Sequence, residues 1–249
     1  MLRWPTAWIT GASQGIGRAL SLELARQGYR VFASARDSED LRQLAALSPN
    51  IRLLPLDVSD AEAVAQAVAT IEQHGDAIDL AILNAGIYRP VPGGLAEPDV
   101  FRRHMEINYL GVVHCVCALA PSMLARRQGQ IAIMGSVAGY RGLPKAAAYG
   151  PSKAALINLA ETLRLEFAGS GLDLRLISPG FVATRLTAQN DFQMPFLLSP
   201  EKAARRILRG LESRRFEIGF PWLFVAWMKL LRLLPYRLYL ALAGRLVRP

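Results

Sequence analysis

The sequence predicts an α/β fold on the strength of three observations. Short apolar runs alternate with longer runs of helical period along most of the chain. The first apolar run feeds directly into a glycine-rich turn and then a helix. Several later runs also end in turns of small residues, the position where open α/β sheets bind ligands. A chain of 249 residues can form one large α/β domain or two small ones and bury roughly 70–75% of its unfolded surface.

Thr6 to Thr10, with Ala7-Trp8-Ile9-Thr10 as its buried part, reads as the first strand. Gly11-Ala12-Ser13-Gln14-Gly15-Ile16-Gly17 is the turn and Arg18 to Gln27 the helix. Glycines here have a mechanical use: they allow a tight turn and let N–H groups at the helix N-terminus approach a pyrophosphate. The second strand, Arg30 to Ser34, ends at Ala35-Arg36. An acid in that place would bind the 2′-hydroxyl of NAD; an arginine suits the 2′-phosphate of NADP(H).

Ile51 to Leu56 is a third strand closing at Asp57-Val58, and Ser59-x-x-Glu62 reads as a capping box for a helix from Ala61 to Glu72. The fourth strand, Leu80 to Leu83, ends in Asn84-Ala85-Gly86, where Asn84 either serves the site or caps its own turn. Pro98 to Arg126 is a long helix with Asn108 embedded in it. Mid-helix asparagine is locally unfavourable, so it is either an exposed, water-bonded amide or present for a reason. The three histidines, His74, His104 and His114, share no metal-ligand spacing and read as structural.

Ile131 to Ser136 is the fifth strand, Ala138 to Ala148 a loop, and Tyr149 to Ala168 a helix with Pro151 in its first turn. Tyr149 and Lys153 are four residues apart and share a helix face. An ammonium about 4 Å from a phenolate, at an effective dielectric near 20, is worth roughly 4 kcal/mol, or about three pK units off the tyrosine. Any Tyr-x-x-x-Lys can also be a snorkelling surface pair. Ser136, thirteen residues upstream of Tyr149, offers a second donor to a carbonyl oxygen. Leu172 to Ile177 is the sixth strand, ending at Ser178-Pro179-Gly180. Phe181 to Leu198 has no clear period and reads as a lid. Ser199-Pro200-Glu201 then opens another helix with a serine cap.

These residues together resemble the short-chain dehydrogenase/reductase family over Pro5 to Phe220, in the form with a single Rossmann-type, doubly wound, parallel seven-stranded sheet. Five motifs stand in the family's order: Thr10-Gly11-x-x-x-Gly15-x-Gly17, Asn84-Ala85-Gly86, Asn108, Ser136 with Tyr149-x-x-x-Lys153, and Pro179-Gly180 with Thr184. The resemblance implies a tetrad: Tyr149 as general acid/base, Ser136 holding the substrate oxygen, Lys153 lowering the tyrosine's pKa and binding ribose, and Asn108 anchoring a proton-relay water. It further implies that Asp57 and Val58 contact the adenine, Asn84, Ala85 and Gly86 line the cofactor, and Thr184 holds the carboxamide. Ser13, Gln14, Ile16, Pro179, Gly180 and Val182 complete the implied cofactor set. Gly135 stands where many members carry a serine, and Pro151 where alanine is common; neither removes a reacting group.

The implied activity is hydride transfer between NADP(H) and a ketone, aldehyde or secondary alcohol, with reduction favoured; if the C-terminal extension anchors the protein to a membrane, an apolar, lipid-like carbonyl is the favoured substrate. The alternative is a module that senses NADP(H) without turnover. The family also implies a homodimer or homotetramer, paired through Phe101 to Arg126 and Tyr149 to Ala168.

Residues 1–219 are thus expected to form the sheet domain and 220–249 a helical extension. The formal net charge is +9, and from Glu201 to Pro249 there are 11 Lys and Arg against 3 Glu. The uninterrupted apolar piece of the extension, Phe220 to Met228, would span about 14 Å as a helix, too short to cross a bilayer. Beyond Pro235, Arg237, Ala241, Arg245 and Arg248 fall on one side, with Leu238, Leu242 and Leu246 in an apolar row. The extension is therefore either an interfacial membrane anchor or a face packed on the protein's own cleft or a neighbouring subunit. Basic residues set among leucines and tryptophans, with no nucleic-acid motif, argue against DNA or RNA binding. No spanning helix, no secretory signal and no metal site is expected. Cys115 and Cys117 are read as buried free thiols, and the localisation as cytoplasmic, with peripheral membrane contact if the anchor operates.

Overall fold

The computed structural model describes residues 5–73, 77–95 and 97–244. Seven parallel strands form one sheet in the order β3-β2-β1-β4-β5-β6-β7: β1 Thr6–Thr10, β2 Arg30–Ser34, β3 Ile51–Leu53, β4 Ile78–Leu83, β5 Gly129–Met134, β6 Leu172–Pro179 and β7 Glu217–Phe220. The order reverses between β1 and β4, which opens a crevice beyond their C-terminal ends. Buried on both faces, β1 sends Trp8 into one core and Ala7 and Ile9 into the other. Helices α3 (Ala61–Gln73), α5 (Gly111–Ala125) and α6 (Tyr149–Glu166) cover the first core. Helices α1 (Gly15–Arg26), α2 (Glu39–Ala46) and α7 (Pro200–Leu211) cover the second.

Two elements escape the sequence reading. Helix α2 is short and capped by Ser38, whose hydroxyl accepts from Leu41 N at 3.3 Å. Strand β7 carries only four residues, below the length at which an apolar run declares itself. The third strand is shorter than Ile51 to Leu56, although Leu54 N and Leu56 N still donate to Ala33 O and Ala35 O at 3.0 and 2.8 Å. Helix α3 starts at Ala61 as read, but Ser59 does not cap it: Asp60 accepts from Ala63 N at 3.0 Å. Ser59 is taken instead by Asp57, to which its hydroxyl donates at 2.7 Å. The cap at Ser199 forms as read, accepting from Lys202 N.

The stretch Pro98–Ala125, 28 residues, contains an 18-residue window of mean hydropathy 1.6 and is long enough to cross a membrane. Here it is a core helix, with Val112, Val116, Leu119 and Met123 packed under the sheet. It divides into α4 (Pro98–His104), a π-helical turn over Met105–Leu110, and α5. Cys115 is buried as expected, but Cys117, two residues round the helix, is exposed; both are free.

The extension continues the fold. Phe220 closes β7, and α8 (Trp222–Leu233) buries Val225 and Met228 in the first core. Helix α9 (Tyr236–Gly244) buries Tyr239, while Leu238 and Leu242 of the expected apolar row are exposed. Arg245, Leu246 and Arg248, like His74, lie outside the described residues.

Candidate active site

The residues singled out for the site lie in the turns that leave the C-terminal edge of the sheet and on the helices beside them, Asn108 in the π-helical turn and Tyr149 and Lys153 in the first turns of α6. The glycine-rich turn is fixed by close backbone approach. A Cβ on Gly11, which has φ +64°, would sit 2.8 Å from Ala85 Cα, and one on Gly17 would collide with the Gly11 carbonyl. Asn84 does not cap its own turn: its Nδ2 donates to Thr10 O and Gly11 O at 3.1 and 3.0 Å. Thr10 Oγ1 accepts from Asn84 N and Ala85 N, both at 3.1 Å. The Asn84-Ala85-Gly86 turn is thereby stitched to the first turn across the switch point.

Helix α1 begins at Gly15 with Gln14 as its N-cap and no side chain capping it, so its first N–H groups remain available to an anion. Ser13 and Ile16 flank that opening in the chain. Arg36 is exposed just past β2. Asp57 lies close enough to feel it. Burial works to raise the Asp57 pKa, but hydrogen bonds from Ser59 and the charges of Arg36 and Arg103 outweigh it and hold the carboxyl below its usual range. Val58 is buried against Gly111. These residues make a cradle that fits a dinucleotide: an uncapped helix end for a pyrophosphate, backbone too close for side chains, and a cation at the ribose edge.

The π-helical turn carries Asn108 inward. It is fully buried; Oδ1 accepts from Ile87 N at 2.7 Å, and Nδ2 donates to Ile87 O and Ser152 Oγ, each at 3.0 Å. The exposed-amide reading is thus overturned, because the π turn supplies a local reason for a polar side chain inside. Ser152 completes the link by donating to Tyr149 O at 2.7 Å. Ser136, just past β5, accepts from Ala138 N at 3.1 Å, and its hydroxyl acts on Tyr149 to lower that group's pKa. Lys153 is buried, and its Nζ donates to Met134 O at 2.7 Å. The four residues of the expected tetrad therefore converge.

Their electrostatics depart from expectation. Lys153 Nζ lies 5.6 Å from the Tyr149 ring centre and does not depress its pKa. Burial pushes Tyr149 up to about 12, against the Ser136 hydrogen bond, which lowers it, and with a smaller raising effect of Tyr88. Burial also pulls Lys153 down to about 8. Desolvation drives both groups toward neutrality, and it outweighs their mutual attraction.

On the other side, Pro179 ends β6 and Gly180 N donates to Phe220 O at 2.7 Å. The lid, residues 181–198, is pinned at both ends: Val182 and Leu198 form a bridge, and Ala183 N donates to Leu198 O at 2.8 Å. Thr184 sits over the glycine turn, its Cγ2 3.0 Å from where a Cβ on Gly15 would be. Arg185 pairs with Asp40 at 2.6 Å across the crevice.

Sequence reasoning missed several participants. Tyr88 packs edge-on to Tyr149, ring centres 5.1 Å apart, and its hydroxyl donates to Asn190 Oδ1 of the lid at 2.9 Å. Nothing in the sequence marks Tyr88, an isolated aromatic in a loop. Glu217 gathers Ser178 Oγ at 2.6 Å, the Tyr140 hydroxyl and the Lys229 ammonium, pinning α8 beside the site. His104 is structural: its Nε2 accepts from Arg89 N at 3.2 Å, which leaves Nδ1 to donate to Val100 O at 2.7 Å.

Comparison with known proteins agrees with this geometry. The family model described as short chain dehydrogenase matches residues 5–194. An oxidoreductase of Myxococcus xanthus is 34% identical over 98% of both chains. A Drosophila melanogaster dehydrogenase/reductase SDR family protein 7-like is 32% identical over 84% of this chain and 70% of its own. Among solved structures, a Burkholderia cenocepacia short chain dehydrogenase in complex with NADP superposes with a TM-score of 0.84 at 27% identity, covering 99% of each chain. A Burkholderia phymatum short chain dehydrogenase/reductase in complex with NAD shares the fold, with a TM-score of 0.83 at 24% identity over 91% of this chain and 92% of its own. The chain belongs to the short-chain dehydrogenase/reductase family of oxidoreductases.

Proposed function

We propose that the protein is an NADP(H)-dependent reductase of apolar ketones or aldehydes. The observation that carries this reading is the convergence of Asn108, Ser136, Tyr149 and Lys153 beside an uncapped helix N-terminus at the switch point. When bound, the nicotinamide supplies or accepts hydride. The glycine turn and the α1 N-terminus hold the pyrophosphate, Arg36 the 2′-phosphate, and Thr184 the far end. Ser136 and Tyr149 are the two hydroxyls offered to the substrate oxygen, Ser136 holding it and Tyr149 exchanging the proton. A phenol held near 12 is protonated at neutral pH, the form that donates to a carbonyl oxygen in the reducing direction. Asn108 and Ser152 fix the first turn of α6, and with it Tyr149. Rings of Phe181, Phe192, Phe196 and Phe224 wall the lid side and support an apolar substrate. Pairing of copies through 101–126 and 149–168 is part of the same reading.

The test follows NADPH and NADH oxidation across carbonyl compounds graded from small and polar to long and apolar. Turnover is expected to rise with apolar length, to prefer NADPH, and to fall about a thousandfold in Tyr149→Phe. Arg36→Asp is expected to erase the NADPH preference, a change of about tenfold or more. Full activity in Tyr149→Phe would overturn the assignment.

A further inference from the structure

The outer face of the two C-terminal helices has a composition found nowhere else on the described surface. Trp222 is 72% exposed, Trp227 62% and Leu233 80%, with Leu230, Tyr236 and Leu240 also open to solvent. Monomeric soluble proteins seldom present so many large apolar side chains together. The face is continuous with the lid, because Phe224 of α8 stacks on Phe181 at 5.5 Å and on Phe196 at 6.4 Å, and Phe196 is itself exposed.

Three features decide what covers this face. First, it is held outward. The Arg141 guanidinium lies over the rings of Tyr236 and Tyr239, 4.8 and 4.3 Å from their centres, and donates to Arg232 O at 2.7 Å. Lys229 is tied to Glu217, and Tyr239 donates to Gly142 O. The apolar side chains cannot fold back over the cleft without breaking this lattice. Second, the chain has no acidic residue after Glu217, while Arg232 and Arg237 stand exposed among the leucines. A second copy meeting the face through a two-fold axis would set arginines against arginines with no carboxylate on the patch to answer them. Third, helices of 12 and 9 residues are too short to span a bilayer but long enough to lie along one. Tryptophan and tyrosine favour the headgroup level, and arginines reach toward lipid phosphate.

We propose that α8 and α9 dock flat on an anionic phospholipid bilayer, bringing the tip of the lid to the membrane surface. This interaction is independent of turnover. The test floats the full chain with vesicles of phosphatidylcholine alone and of phosphatidylcholine mixed with phosphatidylglycerol. Binding is expected to the mixed vesicles, to weaken as salt is raised, and to fall about tenfold or more in the double variant Trp222→Glu, Trp227→Glu. Reduction of a water-soluble carbonyl is expected to be unchanged in that variant, which separates a lost surface from a lost fold. Quenching of tryptophan fluorescence in the unsubstituted protein by brominated anionic lipid gives a measure free of mutation. No flotation and no quenching would overturn the proposal. So would a dimer in solution that the same substitutions split, which would give the face to a second copy.

Discussion

The two walls of the crevice are built on opposite plans. On the cofactor side, backbone meets backbone: Gly11 and Gly17 allow no Cβ, and Thr10 and Asn84 lock the two turns with four hydrogen bonds of 3.0–3.1 Å. On the other side, contact is made by rings 5.5–6.4 Å apart between α8 and the lid, and one of them, Phe196, is exposed. Close-packed backbone has no way to yield, whereas aromatic side chains on a lid can repack at modest cost. The rigid wall holds a cofactor in one pose; under the proposed function the soft wall would admit a range of apolar molecules.

Gly17→Ala attacks the rigid wall. A methyl group there meets the Gly11 carbonyl, a backbone atom that cannot move aside. Calorimetry should show NADPH binding weakened about a hundredfold, with folded stability down by roughly 1–3 kcal/mol. Phe224→Ala attacks the soft wall. It is expected to raise KM for long apolar carbonyls about five- to tenfold while leaving NADPH affinity and turnover of small substrates unchanged. If Phe224→Ala damages cofactor binding as Gly17→Ala does, the two walls are one unit and the comparison fails.

A third effect lies at the seam between them. Lys153 titrates near 8 in the folded protein against 10.5 for a free lysine. Between these values the folded state holds fewer protons than the unfolded one, so stability rises with pH. The cost of burying the ammonium is complete below about 8 and is relieved by about 10.5. The stability of the wild type relative to Lys153→Met should therefore climb by at most about 3 kcal/mol across that interval. Denaturant midpoints of both proteins, followed in the absence of cofactor, measure it; a difference that stays flat would place the ammonium in solvent.

The rigid wall was also the legible one. Glycines at Gly11, Gly15 and Gly17 between a strand and a helix carry their reason in their spacing, and so does Asn84 at a strand end. The soft wall was read only in part. Trp222 and Trp227 announce an apolar extension, but which side is buried depends on Tyr140, Arg141 and Glu217, residues far away in sequence whose pairing no periodicity encodes. The Tyr149–Lys153 spacing is visible in the chain, yet the direction of the tyrosine's shift is set by burial, which spacing does not reveal. Ser59 failed as a cap because two neighbouring residues, Ser59 and Asp60, both qualify, and the choice turns on Asp57.

The π-helical turn at Met105–Leu110 admits one extra residue into a run that would otherwise be a single helix. One residue of helix is about 100° of rotation, so the turn works as a phase change. Upstream of it, His104 is keyed to the loop after β4; downstream, Val112, Val116 and Leu119 are keyed to the sheet. An uninterrupted helix could satisfy one of these angular settings but not both, and Asn108 sits where the two frames meet. A deletion of one residue in 105–110 would shorten the chain by very little, yet it would turn a whole core-facing helix toward the wrong neighbours.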